Sequence, residues 1–318
     1  MNHFFLFLAV LTPYILSLPY YSESPLDKSL VPTNADWMAS LPDSISITTL
    51  AIPGTHDTCT FEFAGENELV NYIEEVFGRT QVWTLDDQLY AGIRYFDIRA
   101  GSDGKIYHSI LQTTSTLTSV MESFSSFLKS HPGEGIIMRI QYNLSLFCLF
   151  GDCFEENIVA VLDKFKDQLL LTTTVPTVEQ IRGKIFLIVE NMEYNGAFDW
   201  ESGKITLQDD FRLVGDDDKE IEEKKMQVKE YMEKSRQNEN LFIINHCSAS
   251  GIFALTTIKT IAKEVNQVPF TEENYGGIIP LDFPGEHLIT HIISINNRHK
   301  NVRDHDDDSE KEVHYFLK

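Results

Sequence analysis

His56 and Asp57 stand side by side in the stretch Ile52-Pro53-Gly54-Thr55-His56-Asp57-Thr58, directly after the apolar run 45–52. In an α/β protein, loops at strand ends project side chains over a sheet or barrel mouth, and a histidine there titrates close enough to neutrality to move protons. A lone His-Asp pair is more often an ordinary packed histidine than a catalytic one, so the weight falls on three later segments. In Gly92-Ile93-Arg94-Tyr95-Phe96-Asp97-Ile98-Arg99, strand alternation puts Tyr95, Asp97 and Arg99 on one face and Phe96 and Ile98 on the other. Charge on one side of an apolar strand requires a partner. Either the pair is an internal salt bridge, or Asp97 positions Arg99 to grip an anion, a task that suits the planar guanidinium fork. Ile106-Tyr107-His108-Ser109 brings a second histidine to the end of a short strand. Ile278-Ile279-Pro280-Leu281-Asp282-Phe283 brings a carboxylate to the end of the last one, where capping the following helix is the alternative role.

Two histidines, carboxylates and an arginine are the parts for attack on a phosphodiester. One imidazole takes a proton from the nucleophilic hydroxyl, the other protonates the leaving oxygen, and the guanidinium stabilises phosphoryl charge. A carboxylate behind each imidazole fixes its tautomer.

The elements that must position these groups alternate along the chain. Apolar, β-branched runs predict strands at 45–52 (ended by a Pro53-Gly54 turn), 93–99, 105–109, 135–142, 184–190, 241–247 and 277–283. Helical spacing predicts helices at 67–78, 84–91, 116–130, 155–170, 177–182, 218–237, 254–266 and 286–296. The order implies a parallel α/β architecture, a barrel or a doubly wound sheet, in a single domain without internal repeats. The Glu- and Lys-rich stretch 216–239 reads as a solvated outer helix.

A chain of 318 residues, 42% hydrophobic, can bury a large core. With 26 Lys and Arg against 48 Asp and Glu, its net charge of −22 argues against nucleic acid as a partner and against electrostatic adhesion to anionic membranes, while leaving room for local positive sites. Residues 1–18 read as a signal peptide, because the apolar run is short for a membrane span and Pro13 interrupts it. The expected organisation is then an N-terminal extension over 19–39, a catalytic unit over 40–300 and an acidic tail over 301–318 whose run 304–310 lacks EF-hand spacing. A secreted, extracellular, monomeric protein is expected. In that setting Cys148 and Cys153 read as a local disulfide, Cys59 and Cys247 as free core thiols, and Asn143 as a glycosylation acceptor in Asn143-Leu144-Ser145.

The motifs IPGTHDT, GIRYFDIRA, IYHS, PGEGIIMRI and GKIFLI, in that order over roughly residues 40–300, resemble the catalytic domain of the phosphatidylinositol-specific phospholipase C family with its X domain. The likeness is to the secreted bacterial-type enzymes and their single-domain eukaryotic relatives. The resemblance implies a distorted TIM barrel. It implies His56 as the general base on the inositol 2-hydroxyl, whose oxygen attacks phosphorus, expels diacylglycerol and leaves inositol 1,2-cyclic phosphate. It further implies His108 as the general acid, Asp57 as the carboxylate supporting it, and Asp282 as the partner of His56. Arg99, beside Asp97, takes the place of the calcium ion of the large signalling enzymes, so no metal or other cofactor is expected. The implied partner is a phosphatidylinositol or glycosyl-phosphatidylinositol lipid at a bilayer surface. Two positions depart from the bacterial pattern, which has a basic residue after the fourth and after the fifth motif strand. Here those regions read Arg139-Ile140-Gln141 and Val189-Glu190-Asn191. Arg139 and Gln141 share a strand face and are the local candidates for head-group contact, whereas Glu190 has the wrong charge for an anion. Competing readings are an inactive ligand-binding barrel and a magnesium-dependent phospholipase D or glycerophosphodiesterase. The latter needs a carboxylate cluster for the cation, and Arg99 beside Asp97 disfavours one.

Overall fold

The computed structural model describes residues 20–29, 33–65, 67–143, 155–213, 217–251, 257–270 and 275–300. The leader, the Cys148–Cys153 pair, the Leu144-Ser145 part of the sequon and the run 304–310 lie outside them.

One curled, largely parallel sheet organises the chain. Its path runs β6 (Leu169–Leu170), β7 (Ile185–Glu190), β5 (Ile136–Tyr142), β2 (Tyr95–Ala100), β1 (Ala51–Thr55), β13 (Gly277–Leu281), β11 (Phe242–Asn245), β9 (Ile205–Gln208). A hairpin of β3 (Lys105–His108) and β4 (Leu111–Thr116) branches from β2, and β8 (Phe198–Asp199) pairs with β7. A separate parallel pair joins β10 (Arg212–Leu213) to β12 (Ser250–Gly251). Helices α1 (Glu68–Ile73), α2 (Leu85–Ala91), α3 (Leu117–Ser130), α4 (Glu156–Lys164), α5 (Val178–Ile181), α6 (Asp217–Gln237), α7 (Ile258–Val265) and α8 (Glu286–Ser294) fall between strands. The result is the single-domain, distorted TIM-type barrel expected, open between its edge strands.

Central strands are buried on both faces, which is why they read as continuous apolar runs. The outward residues Phe96, Ile98, Met138, Ile140 and Leu187 meet Val120, Met121 and Phe124 of α3 in one cluster. The inward residues Ile52, Tyr95, Ile137, Phe186, Ile188, Phe242, Ile244 and Ile278 form another. Trp37, Met38 and Leu41 complete that inner cluster, so residues around the expected boundary at 40 belong to the barrel. A fully buried Arg94–Glu134 ion pair of 2.8 Å lies at the amino ends of β2 and β5. Arg94 also donates to the carbonyls of Ile93 and Ala35, so its fork is spent on structure.

The run 45–52 is not one strand. Ile47–Thr49 forms a 3-10 turn capped by the Ser46 side chain, and β1 starts at Ala51 and continues through Pro53-Gly54 instead of turning there. Pro53 fits because the β1–β2 register begins only at Gly54–Tyr95, and toward β2 Pro53 supplies just a carbonyl, which accepts from the Arg94 N–H at 3.0 Å. Gly54 fits because any Cβ there would lie 2.7 Å from the Tyr95 ring. The predicted helix 155–170 ends at Lys164, and Leu169–Leu170 instead pairs with Ile185–Phe186 as an edge strand. Strands β4, β6, β8, β9, β10 and β12 went unread because they are short or polar.

Candidate active site

Period two carries each inward face from apolar to charged as it climbs. Tyr95 is followed by Asp97 and Arg99, Ile137 by Arg139 and Gln141, and Ile188 by Glu190. The register sets Asp97 beside Arg139, Arg99 beside Gln141, and Gln141 beside Glu190. The carboxyl end of the barrel is thus a polar layer on an apolar plug. Arg139 points inward, donating to Asp97 Oδ1 at 2.8 Å and from Nε to Glu190 Oε2 at 2.7 Å, with the Trp200 ring 4.1 Å from its guanidinium carbon. Glu190 therefore serves as a partner to Arg139 and also accepts from Gln141 Nε2 at 3.1 Å.

Above this layer, Arg99 donates from Nη2 to Asp97 Oδ2 at 3.0 Å and pairs through Nε with Asp57 Oδ1 at 2.7 Å. His56 Nδ1 meets Asp282 Oδ1 at 2.9 Å, and its Nε2 faces Arg99 Nη2 at 2.8 Å. His108 Nδ1 meets the Gly78 carbonyl at 2.7 Å, and its Nε2 lies 3.2 Å from Asp57 Oδ2. The two imidazole centroids are 6.4 Å apart, with rings nearly perpendicular. His56, Asp57, Asp97, Arg99, His108 and Asp282 are thereby gathered into one site, and Arg139, Gln141 and Glu190 line the same cavity of about 390 Å3.

His56 Nε2 lies between Arg99 Nη2 at 2.8 Å, which only donates, and Asp57 Oδ2 at 3.3 Å, which only accepts; in the neutral ring the guanidinium favours a bare Nε2 with the hydrogen on Nδ1 toward Asp282. This is the tautomer a general base needs. Burial disfavours protonation of His56, but Asp57 and Asp282 outweigh it and lift its pKa to about 9. The ring is thus held between a guanidinium donor at Nε2 and two carboxylates that favour its protonated form. Burial opposes ionisation of Asp97, yet Arg139 and Arg99 hold its carboxyl far below the usual range. The same burial raises Asp282, with His56 pulling the other way. The Gly78 carbonyl only accepts, so His108 carries a hydrogen on Nδ1 and presents Nε2 to the cavity floor.

Ligand-type atoms of His56, Asp57 and Asp97 lie within 4.8 Å of one another. The Arg99 guanidinium stands among them and pairs with both aspartates, so a cation is already built into that cluster.

Further groups at the mouth escaped the sequence reading. Asp209, Phe77, Phe211, Ser250 and Ile258 line the cavity. His246 is buried beside His56 at 5.8 Å between centroids, and burial together with the nearby His56 and Arg139 holds it neutral. His246 ends the predicted strand 241–247, a signal that placed His108 but was not applied here. Cys59 and Cys247 are free, buried thiols, pushed up to about 12 by burial. The Asn143 amide donates to the Ser109 carbonyl at 2.7 Å. Backbone strain collects at the mouth. Among the described residues, those other than glycine with positive φ are Asp57, Ser109, Asn191 and Phe283, each either a site residue or the one directly after His108, Glu190 or Asp282.

A curled parallel sheet with two oriented histidines and an ion-paired arginine at the carboxyl ends of its strands defines a barrel enzyme of the acid–base type. No family model matches the chain. It is 28% identical to the 1-phosphatidylinositol phosphodiesterase of Listeria monocytogenes over 86% of its own length and 88% of that protein. The solved phosphatidylinositol-specific phospholipase C from Listeria monocytogenes superposes with a TM-score of 0.72 at 28% identity, over 83% of this chain and 98% of that one. A Danio rerio PI-PLC X domain-containing protein 3 is 34% identical over 34% of this chain and 42% of its own length. The chain is thus similar in sequence over most of its length, and in fold, to phosphatidylinositol-specific phospholipases C.

Proposed function

We propose that the protein is a secreted, metal-independent phosphodiesterase. It cleaves phosphatidylinositol or glycosyl-phosphatidylinositol lipids to diacylglycerol and inositol 1,2-cyclic phosphate. The observation that carries this reading is the pair of histidines 6.4 Å apart, with Arg99 beside them paired to Asp57 and Asp97. In its neutral form, with the hydrogen on Nδ1, His56 accepts the proton of the inositol 2-hydroxyl on Nε2. The 2-oxygen attacks phosphorus, Arg99 turns its fork to the phosphoryl oxygens, and His108 Nε2 gives its proton to the departing glycerol oxygen. Asp282 orients the base, and Asp57 holds both the acid and Arg99. The carboxylates of Asp209 and Glu190 offer acceptors to the ring hydroxyls of the head group.

The mouth also suits a lipid surface. Leu69, Tyr72, Ile73 and Phe77 are exposed on α1 and the π-turn that follows it, with Ile110 on the adjoining hairpin and Phe211 across the cavity. In a chain of net charge −22, contact with a bilayer must come from apolar burial. The apolar run 2–18 supports secretion. Phosphorus NMR of the soluble product from phosphatidylinositol vesicles, with and without chelator, tests the reading. A five-membered cyclic phosphate formed equally in both conditions is expected. A requirement for calcium, or an acyclic first product, refutes it.

A further inference from the structure

Lys224 lies in the Glu- and Lys-rich helix α6 but is fully buried, unlike the lysines around it. Burying an ammonium is costly unless its protons are used. Its Nζ donates to Gln208 Oε1 at 3.0 Å and to the Asp210 carbonyl at 2.7 Å. These acceptors belong to the two residues on either side of Asp209. Gln208 Oε1 also takes the Asp210 N–H at 2.9 Å, and Gln208 Nε2 donates to the His246 carbonyl at 3.0 Å and to Asn245 Oδ1 at 3.2 Å. The Asp210 carboxylate is drawn off to Gln227 Nε2 of α6 at 2.8 Å. Both neighbours of Asp209 are thus clamped to α6 and β11, and Asp209 alone lines the cavity.

We propose that Lys224 is the positioning residue for Asp209, gripping the end of β9 from behind the cavity wall so that this carboxylate meets the head-group hydroxyls. The assignment rests on the phosphodiesterase reading above. Burial raises the Asp209 carboxyl, and His56, Arg139 and Lys224 counter it, so Lys224 also helps keep Asp209 ionised. Asp209 and Asp210 beyond β9, His246 and Cys247 beyond β11, and Asp282 beyond β13 face the ammonium. Burial brings Lys224 down to about 8 against the pull of Cys247, Asp209, Asp210 and Asp282. The bracket therefore loses its proton, and a donor, as pH rises through that value.

The test is a double-mutant cycle with a water-soluble nitrophenyl ester of inositol 1-phosphate, comparing wild type, Lys224→Met, Asp209→Asn and the double variant. Each single change is expected to raise KM about tenfold, the size of one charge-assisted hydrogen bond, with kcat little changed. If Lys224 acts through Asp209, the double variant is no worse than Asp209→Asn alone. In wild type KM also climbs above pH 8, and Asp209→Asn abolishes that climb. Additive losses, or a loss confined to kcat, overturn the assignment while leaving the phosphodiesterase reading in place. Absence of turnover by the wild type overturns both. Circular dichroism checks folding. Lys224→Gln, which keeps an N–H donor without the charge, carries the cycle if the methionine variant does not fold, and the wild-type and Asp209→Asn pH profiles need no Lys224 variant at all.

Discussion

Replacing Asp282 with Asn tests whether His56 is the base. Asp282 is almost fully buried, and its Oδ1 holds His56 Nδ1 at 2.9 Å. The substitution keeps the shape and removes the charge. A hydrogen bond to a buried charged group contributes about 2 kcal/mol, which as lost transition-state stabilisation is roughly a thirtyfold fall in kcat/KM. The fall is larger if the new amide turns its NH2 toward Nδ1, because the ring then places its hydrogen on Nε2, the nitrogen that must accept the substrate proton. The pH profile gives an independent sign. The Asp57 and Asp282 carboxylates lift His56 to about 9, so removing one lets the ring lose its proton at lower pH. The acid limb of log(kcat/KM) therefore moves to lower pH. The assay follows the soluble nitrophenyl ester from pH 5 to 10, which separates chemistry from vesicle binding. Activity within about twofold of wild type, or an acid limb displaced upward, would refute the assignment of His56 as the base.

Three further outcomes are expected. His108→Ala should lose roughly 10²–10⁴-fold on phosphatidylinositol but far less on the nitrophenyl ester, whose leaving group needs no acid; equal losses on both rule out His108 as the acid. Arg139→Ala strands Asp97 and Glu190 against one less cation, so it should destabilise the fold by about 3 kcal/mol or more in denaturant unfolding as well as raise KM; an unchanged midpoint contradicts the inward ion-pair network. Changing Leu69, Tyr72 and Phe77 together to Ser should cut hydrolysis of lipid in vesicles while sparing the soluble ester; parallel losses on both substrates would place these side chains in folding.

The barrel strands were legible where a strand is buried on both sides, since IIMRI and IFLIV cannot be mistaken for surface. The site was legible where a polar residue interrupts such a run at period two, as Asp97, Arg99 and Arg139 do. Beyond that the sequence goes quiet for identifiable reasons. β1 contains Pro53-Gly54, which locally reads as a turn, and only the register with Arg94 and Tyr95 makes it a strand. β9 offers two apolar residues in ITLQ, so nothing marked Asp209 as lying beyond a strand end. Lys224 is chemically identical to the other lysines of α6, and its tertiary contacts with Gln208 and the Asp210 carbonyl distinguish it.

The positive-φ residues at the mouth have a consequence for how this protein would respond to selection or engineering. A side chain held in the left-handed region costs of order 1 kcal/mol or more. Ser109 and Asn191 keep that cost while lying outside the core, so glycine at either position relieves the strain, offset in part by the greater entropy it gives the unfolded chain. The same change would loosen the corners that aim His108 and Glu190 into the cavity. Relief of strain and catalytic rate are therefore set against each other at these particular corners, whereas the Arg94–Glu134 end of the same strands is free to be optimised for stability alone.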